Sequence, residues 1–435
     1  MKLSVIGCGY LGAVHAASMA ELGHEVVGVD VDWQKIGLLA EGRAPFFEPG
    51  LPEVLTSAIA TGRLTFTTDM AEAQGASVHF IAVGTPQRKG EAAADLSYVD
   101  SAVNALLPYL SSGDLVVGKS TVPVGTASRL VEKLNGSGAD LAWNPEFLRE
   151  GFAVEDTIRP DRLVYGVPEG EGGDRATALL NEVYATAIAN ETPLVVTDYA
   201  TAELVKVSAN AFLATKISFI NAMAEIAEVT GADVTKLADA IGFDARIGRR
   251  FLNAGVGFGG GCLPKDIRAF AARAEELGRG QSVAFLKEVD AINLRRRDRV
   301  VELALDALHQ EPLGKKVTVL GLSFKPDSDD VRDSPALDVA VRLKGLGADV
   351  IATDPQAIEN SRRLHPQLAF EETTAAALTG ASVVVLVTEW SEYRDLDPSE
   401  VAQLAPAATV IDGRNCLDPQ AWRSAGFTYV GLGRP

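Results

Sequence analysis

Cys262 has the sequence surroundings that are expected of a nucleophilic cysteine. Cys262 lies in the glycine-rich segment 255–266, directly before a predicted helix. Pro264 suits the first position of that helix, because the N–H that proline lacks would have no partner there. The positive end of the helix dipole and the charge of Lys265 would both favour the thiolate. The segment therefore predicts a reactive thiol, with a small buried cysteine in a glycine-rich turn as the alternative.

A second candidate site opens the chain. Gly7, Gly9 and Gly12 stand at G-x-G-x-x-G spacing after a predicted strand, and a helix at 15–22 and a second strand ending on Asp30 follow. The glycines permit a tight turn, close approach of a pyrophosphate and close packing of helix on strand. Asp30 would accept hydrogen bonds from ribose hydroxyls and repel a 2′-phosphate. The pattern predicts NAD rather than NADP, with a ligand-free glycine turn as the alternative.

Hydroxyl and carboxylate side chains follow two further apolar segments. GKSTVPVGT, residues 118–126, predicts a strand and a turn that place Thr121 near the carboxyl edge of a sheet, where ligands of such sheets bind. WNPEFLREG, residues 143–151, puts Glu146 and Glu150 on one face if the segment is helical. We expect ligand-binding or acid–base groups here, with purely structural roles as the alternative.

Residues 198–229 contain neither proline nor glycine and predict one long buried helix of about eight or nine turns. Glu203, Lys206, Asn210 and Asn221 fall roughly on one stripe of it, with Lys206 and Asn210 one turn apart. Polar side chains on a buried stripe need partners. The stripe therefore predicts that these side chains bind polar partners in the interior, with a solvated helix edge as the alternative. A helix of this length between two domains is also a natural dimer surface.

An internal repeat sets the architecture. KLSVIGCGYLG, LGHEVVGVD and ASVHFIAVGTP return in the same order as KKVTVLGLSFKP, LGADVIATD and ASVVVLVTEW. We predict an α/β protein with two doubly wound Rossmann-like domains, joined by a long central helix and a helical dimerisation region, with boundaries at 1–197, 198–300 and 301–435. The second copy lacks the glycine fingerprint and has Lys325 at its strand end, so the halves are expected to bind different ligands.

Composition restricts the class of protein. A chain of 435 residues is too long to fold around a single hydrophobic core. The formal net charge of −18 disfavours binding to nucleic acid or to an anionic membrane. No apolar segment approaches the length of a membrane span, and no signal-peptide pattern opens the chain. Three cysteines form no paired framework, which favours a reducing cytoplasm. We predict no metal site.

Eight motifs carry a family resemblance: GCGYLG, VGTP, STVPVGT, NPEFLREG, ELVKVSANAFLATKISFINAMAEI, FLNAGVGFGGGCLPKD, FKPDSDDVRDSP and DGRNCLDP. In this order, and over nearly the whole chain, they resemble the UDP-glucose 6-dehydrogenase family, within the UDP-glucose/GDP-mannose dehydrogenases. The resemblance implies a homodimer that oxidises UDP-glucose to UDP-glucuronate. Two NAD would be reduced, through a thiohemiacetal and a thioester on Cys262.

The resemblance also implies site residues. The catalytic set would be Cys262, Lys206, Asp266, Asn210, Thr121, Glu146 and Glu150. NAD would be held by Gly7, Gly9, Tyr10, Leu11, Gly12, Asp30, Lys35, Thr85, Thr121, Glu150, Lys265 and Arg332. The UDP-sugar would be held by Glu146, Phe147, Leu148, Glu150, Lys206, Asn210, Arg246, Phe251, Leu252, Gly259, Lys325 and Arg414. Taken without the resemblance, Lys35 and Arg246 are more typical of surface charges, and Asp266 could instead be the negative charge of a helix N-terminus.

Departures from the family pattern concern loops. The family commonly has Pro at the position of Ala254 and Ser at that of Gly261, and the segment EAAADLSY at 91–98 differs from the usual short turn.

Three alternative functions stay open at this point. They are a dehydrogenase of GDP-mannose or of a UDP-N-acetyl sugar, a two-electron hydroxy-acid dehydrogenase, and an NAD-sensing regulatory protein.

Overall fold

The computed structural model describes residues 1–435. It divides into a first unit, Met1–Ala209 with Ala272–Gly278, and a second unit, Asn210–Ala271 with Arg279–Pro435. Each unit contains one β-sheet flanked by helices, which confirms the predicted α/β class with two Rossmann-like sheets and a long helix between them.

The first unit contains an eight-stranded sheet. Its strands are β1 (Lys2–Ile6), β2 (Glu25–Val29), β3 (Leu64–Thr67), β4 (Val78–Ile81), β5 (Leu115–Gly118), β6 (Asp140–Trp143), β7 (Leu163–Gly166) and β8 (Leu194–Thr197). They lie in the order β3-β2-β1-β4-β5-β6-β7-β8. Its helices are α1 (Tyr10–Glu21), α2 (Trp33–Ala40), α3 (Leu51–Ala60), α4 (Ser97–Leu106), α5 (Thr126–Leu134), α6 (Ala153–Ile158), α7 (Glu171–Val183) and α8 (Ala185–Ala189).

Most strand pairs of this sheet are parallel, and its centre is formed by β4 and β5, which are buried throughout, and by β1, which is buried after Lys2, as the apolar segments predict. The exception is the antiparallel contact of β6 with β7, which joins Trp143 to Gly166. The ring of Trp143 lies over Gly118, where a Cβ would come within 2.2 Å of a ring carbon. A glycine at the end of β5 is therefore needed to seat this ring.

The second unit contains a six-stranded parallel sheet. Its strands are β9 (Lys316–Leu320), β10 (Asp349–Thr353), β11 (Ala369–Phe370), β12 (Val383–Leu386), β13 (Thr409–Asp412) and β14 (Thr428–Gly431), in the order β11-β10-β9-β12-β13-β14. Its helices include α13 (Pro335–Gly345), α14 (Ile358–Leu364), α15 (Thr374–Leu378), α16 (Ser391–Arg394), α17 (Pro398–Leu404) and α18 (Pro419–Ser424). The order β10-β9-β12 matches β2-β1-β4, which confirms the internal repeat.

Four helices occupy the middle of the chain: α9 (Tyr199–Thr230), α10 (Val234–Gly242), α11 (Leu263–Glu276) and α12 (Phe285–Ala307). Helix α9 confirms the long helix predicted for 198–229. In the second unit its small and apolar residues pack against α10, with Ile220 and Ala224 fully buried. No helix of the chain is both long and apolar enough to cross a membrane.

The polar stripe of α9 is largely buried and partnered rather than solvated. Glu203 is 2% exposed, and its two carboxylate oxygens accept the N–H groups of Gly125 and Ala127 at 2.7 Å each. It thereby stabilises the N-terminus of α5. Fully buried Asn221 accepts the N–H of Gly255 at 2.8 Å. These two members of the stripe make structural contacts, and the other two belong to the site described below.

Candidate active site

The turn between β1 and α1 has the geometry of a dinucleotide-binding turn. Gly7 has φ +92°, a left-handed conformation that favours glycine. A Cβ on Gly12 would lie 1.8 Å from the carbonyl oxygen of Gly7, so α1 can approach the strand only without a side chain there. A Cβ on Gly9 would meet nothing within 4 Å, which leaves open space beside the N-terminus of α1. The turn therefore fits the pyrophosphate of NAD, which helix N–H groups would bind. Helix α1 begins at Tyr10, earlier than the predicted 15.

The acid at the end of β2 faces this turn. Asp30 Oδ2 accepts the N–H of Cys8 at 2.7 Å and the ammonium of Lys35 at 3.0 Å. Lys35 thus contacts the carboxylate predicted to bind ribose. Thr85 is buried, and its hydroxyl donates to the carbonyl oxygen of Thr121 at 2.8 Å. Two residues predicted to contact NAD therefore hold each other in place.

The second copy of this turn has a different use. Gly321 has φ +99° and donates its N–H to Thr353 O at 2.9 Å, as Gly7 donates to Val29 O at 2.8 Å. However, Asp354, the counterpart of Asp30, is 4% exposed. Its carboxylate accepts five N–H groups and one hydroxyl, from Leu322, Ser323, Gln356, Ala357 and Trp390. This acid is fully engaged within the unit, which supports the prediction that the two halves bind different ligands.

Sequence reasoning missed Glu48, in the loop between α2 and α3. This carboxylate is 3% exposed and accepts the N–H groups of Gly151 at 2.6 Å and Ala153 at 2.7 Å. It also accepts the hydroxyl of Tyr10. Burial, followed by the hydrogen bond to Glu48, raises the pKa of Tyr10 above its ordinary value. Tyr10 and its neighbour Leu11 are partly buried at the start of α1, so Glu48 joins the cofactor turn to the segment that follows half-buried Glu150.

The NPEFLREG segment is not a helix, so the condition for placing its two acids on one helix face is not met. Residues 144–149 are irregular in structure, so Glu146 and Glu150 do not share a helix face. Glu146 Oε1 accepts the N–H groups of Phe147 at 2.7 Å and Leu148 at 3.0 Å, which competes with helix formation. Its Oε2 lies 2.9 Å from Lys119 Nζ. Burial opposes ionisation of Glu146, but the charge of Lys119 and these hydrogen bonds outweigh it and hold the pKa of Glu146 below its ordinary value.

Lys119, within the GKSTVPVGT segment, is a second residue that the sequence alone does not identify. It follows β5 directly, and its side chain is 4% exposed. Its ammonium contacts the oxygens of Asn144 at 3.1 Å and Tyr184 at 3.1 Å in addition to Glu146. The signal that could have identified it is a lysine at the end of a buried valine-rich strand, because a buried cation requires an anionic partner.

Aromatic contacts hold the next residue of the segment. The guanidinium carbon of Arg162 lies 3.9 Å from the ring centroid of Phe147, and Lys206 Nζ lies 5.4 Å from it. Lys206 is half-buried on α9, one turn before Asn210. The first unit therefore places a cation of the predicted catalytic set beside a residue of the predicted sugar-binding set.

In the second unit, Cys262 is exposed, which excludes the alternative of a buried structural cysteine. It precedes α11, and its carbonyl oxygen accepts the N–H of Asp266 at 3.0 Å, as expected of a helix N-cap. Asp266 is 3% exposed and contacts Lys265 Nζ at 2.5 Å. Asn210 donates to the other oxygen of Asp266 at 2.6 Å. The prediction that buried Asn210 needs a partner is confirmed, and that partner is in the predicted catalytic set.

Glycines keep this loop tight. A Cβ on Gly259 would lie 2.3 Å from the carbonyl oxygen of Asp333, and one on Gly261 would lie 2.3 Å from the guanidinium carbon of Arg332. The Arg332 guanidinium, which pairs with Asp330 at 2.6 Å, would have to shift to make room for the serine that is common in the family. The departure at Gly261 lets an arginine approach the residue beside Cys262.

The remaining residues of the predicted substrate set differ in their surroundings. Arg414 donates to the carbonyl oxygens of Val387 and Gly257 at 2.6 and 2.9 Å, so much of its guanidinium is engaged by the backbone. Arg246 is 89% exposed and pairs with Asp244. Phe251 has φ +67°, a strained conformation typical of functional loops, and is exposed, whereas Leu252 is buried. Lys325 is half-buried beside the ring of Phe324.

Family models match three consecutive parts of the chain. They describe the NAD binding domain (residues 1–188), the central domain (200–295) and the UDP binding domain (318–419) of the UDP-glucose/GDP-mannose dehydrogenases. A UDP-glucose 6-dehydrogenase of Rhizobium meliloti is 42% identical over 440 residues, covering 100% of both chains. One of Pseudomonas aeruginosa is 39% identical, covering 100% of this chain and 98% of the relative.

Solved structures give the same result. A UDP-glucose dehydrogenase from the archaeon Pyrobaculum islandicum superposes with a TM-score of 0.90 at 39% identity, covering 100% of this chain and 98% of that one. A UDP-D-ManNAc dehydrogenase from Pyrococcus horikoshii superposes at 0.87 with 26% identity, covering 100% and 99%. With the NAD-binding turn, the exposed Cys262 and these full-length matches in hand, the chain belongs to the UDP-glucose/GDP-mannose dehydrogenase family and is an NAD-dependent dehydrogenase.

Proposed function

We propose that this enzyme oxidises UDP-glucose to UDP-glucuronate with two NAD per sugar. The observation that carries the proposal is the exposed thiol of Cys262 at the N-terminus of α11, where Asp266 of the first turn accepts a hydrogen bond from Asn210 of α9. NAD supplies the hydride acceptor in both oxidations. The higher identity to relatives named for UDP-glucose than to one named for an N-acetyl sugar favours glucose over the alternative substrates.

The first oxidation needs a base and an oxyanion partner. The primary alcohol loses a hydride from carbon and a proton from oxygen, which yields an aldehyde. We assign the positioning of a water or proton acceptor to Asp266 and Thr121, and stabilisation of the developing negative charge on oxygen to Lys206 with Asn210. Glu146 and Glu150 assist the proton transfers.

The second oxidation proceeds on the enzyme. The Cys262 thiolate adds to the aldehyde carbon, and the resulting thiohemiacetal loses a hydride to give a thioester. Water then cleaves the C–S bond, which releases the carboxylate and regenerates the thiol. The covalent bond keeps a reactive aldehyde in place while one cofactor leaves and the next binds.

The ligand sets follow from the same proposal. NAD is assigned to Gly7, Gly9, Tyr10, Leu11, Gly12, Asp30, Lys35, Thr85, Thr121, Glu150, Lys265 and Arg332. The UDP-sugar is assigned to Glu146, Phe147, Leu148, Glu150, Lys206, Asn210, Arg246, Phe251, Leu252, Gly259, Lys325 and Arg414. Cationic side chains meet the need of a diphosphate for Arg and Lys. The proposed regions remain 1–197 for NAD, 198–300 for dimerisation and 301–435 for UDP.

A homodimer is part of the proposal. Phe212, Phe219 and Ile226 repeat every seven residues along α9 and are 66%, 48% and 54% exposed. An apolar row of this kind on one helix face supports burial against a second copy. Light scattering after size exclusion measures the mass of the assembly, and a monomer would contradict the proposed dimer.

The three unpaired cysteines support a reducing cytoplasm as the location of the enzyme.

The test is stoichiometric. Limiting UDP-glucose is mixed with excess NAD, and NADH is counted at completion. Two NADH per sugar are expected, whereas one would indicate a two-electron alcohol dehydrogenase. None, with GDP-mannose or a UDP-N-acetyl sugar reacting instead, would transfer the proposal to a sister enzyme.

A further inference from the structure

The buried cation Lys119 lies beside the acidic segment of the first unit and outside every proposed ligand set. Its ammonium has three oxygen neighbours, on Glu146 at 2.9 Å and on Asn144 and Tyr184 at 3.1 Å each. Tyr184 donates to Asn144 Oδ1 at 2.7 Å, and Asn144 donates to Val164 O at 3.0 Å. The ammonium is therefore held by a closed network that ends on a strand.

This network accounts for both oxygens of Glu146. Backbone N–H groups of Phe147 and Leu148 bind Oε1, and Lys119 binds Oε2. All three are donors, so each contact stabilises the ionised carboxylate and none accepts a proton from the neutral acid. Since Lys119 is 4% exposed and its three donors already face three oxygens, a direct bond to substrate would require the network to open.

Other charged groups face the same segment. Lys206 on α9 contributes a smaller effect that also lowers the pKa of Glu146. Asp156 of α6, together with Asp161, Arg162 and His15, lines a small cavity beside the pair. Arg162 contacts the ring of Phe147. None of these makes the direct 2.9 Å contact that Lys119 makes with Glu146.

We propose that Lys119 is a positioning residue that holds Glu146 as a fixed carboxylate, ready to accept a proton and unable to donate one near neutral pH. This rests on the proposed function only for the statement that Glu146 assists proton transfer. Glu146 then serves the steps that release protons, namely alcohol oxidation and attack of water on the thioester. The acid that protonates leaving groups is a different side chain.

The first test compares charge with packing. Lys119→Met removes the cation at similar volume, Lys119→Arg keeps it, and Lys133→Met breaks an ion pair with Asp100 elsewhere in the same unit as a matched control. In Lys119→Met, we expect kcat to fall about tenfold or more near neutral pH, and the acidic limb of the pH profile to move to higher pH. Lys119→Arg should retain the wild-type limb, and Lys133→Met should leave both unchanged.

A cycle with Glu146→Gln keeps the proposal testable if Lys119→Met folds poorly. The double variant leaves no unpaired charge and should fold better than either single variant, since an unpaired buried ion is strongly destabilising. In the Glu146→Gln background, Lys119→Met should cause no further loss of kcat. A further loss would show that Lys119 acts on substrate directly and would overturn the proposal.

Thermal unfolding gives a readout independent of activity. In Lys119→Met, burial without a cation should raise the pKa of Glu146 above its unfolded value, so this variant should gain stability as pH falls from 8 to 5. The comparison is with the double variant, because Lys119 also affects His15. Equal pH dependence of the two midpoints would refute the proposal even if wild type yields two NADH. Failure of the NADH count alone would refute only the proposed function.

Discussion

Glu48 joins two parts of the first unit, and its neutralisation tests whether that junction matters for cofactor binding. Its carboxylate accepts two backbone N–H groups, from Gly151 and Ala153, and the hydroxyl of Tyr10. Glu48→Gln keeps the shape but replaces one oxygen by an NH₂ group. That group faces N–H donors, so one backbone donor loses its acceptor and the others lose a charged one.

The magnitude follows from the contacts. A hydrogen bond to a charged group contributes about 1.5–3 kcal/mol, and a buried donor left without an acceptor costs about 1–3 kcal/mol. We therefore expect a loss of about 2–4 kcal/mol in the free energy of unfolding. For a unit of roughly 200 residues this lowers the unfolding midpoint by about 4–16 °C. Because Tyr10 begins the helix after the NAD turn, the KM for NAD should rise as well.

The assay is calorimetry with and without NAD, together with initial rates over a range of NAD. Glu41→Gln is the matched control, since Glu41 is 66% exposed and pairs only weakly with Arg43 at 3.4 Å. A midpoint within about 1 °C of wild type would refute the assignment of these hydrogen bonds. A large midpoint shift with unchanged KM for NAD would confine Glu48 to folding.

Three further predictions concern the cofactor, the thiol and pH. Asp30→Ala should weaken NAD binding about tenfold, because ribose hydroxyls lose charged acceptors. Quenching of the protein's tryptophan fluorescence by added NAD measures the affinity, and an unchanged affinity would contradict the fingerprint. Cys262→Ala should abolish acid formation while NAD binding survives, and loss of binding would indicate a structural thiol. Burial, followed by the positive charges of Lys119 and His24, holds the pKa of His15 well below its ordinary 6.5. His15 is therefore neutral in the folded protein, whereas in the unfolded chain it takes up a proton below about pH 6.5. Stability is therefore lost as pH falls below about 6.5, and His15→Phe should reduce this loss in unfolding scans at pH 5 and 7; identical slopes would refute the assignment.

Local sequence was sufficient for the repeated βαβ units and the long helix. Strand residues such as those of β1 are apolar without interruption, and the glycine spacing of the first turn has a steric meaning that depends on no distant residue. The same holds for the N-cap position of Cys262. These features could be predicted because a few adjacent residues determine each of them.

Contacts between distant segments could not be predicted in this way. Lys119 and Tyr184 are 65 residues apart, and Glu48 and Gly151 are 103 apart. Whether NPEFLREG is helical could not be decided from its own residues: Glu146 binds the next two N–H groups, and its other oxygen is held by the distant Lys119. Tertiary partners thus overrode a spacing that suits a helix.

The buried acid of the second unit, Asp354, sets a limit on how these two related folds can be exchanged. It occupies the position that Asp30 holds in the first unit. Its carboxylate, however, accepts hydrogen bonds from the turn of its own unit and stabilises that turn. Substituting glycines into the second turn would produce the cofactor motif in sequence. A ribose would still find no free carboxylate, because the oxygens of Asp354 are already occupied. Any redesign of this half as a nucleotide carrier must therefore supply other acceptors for the N–H groups of its turn, because Asp354 already accepts them.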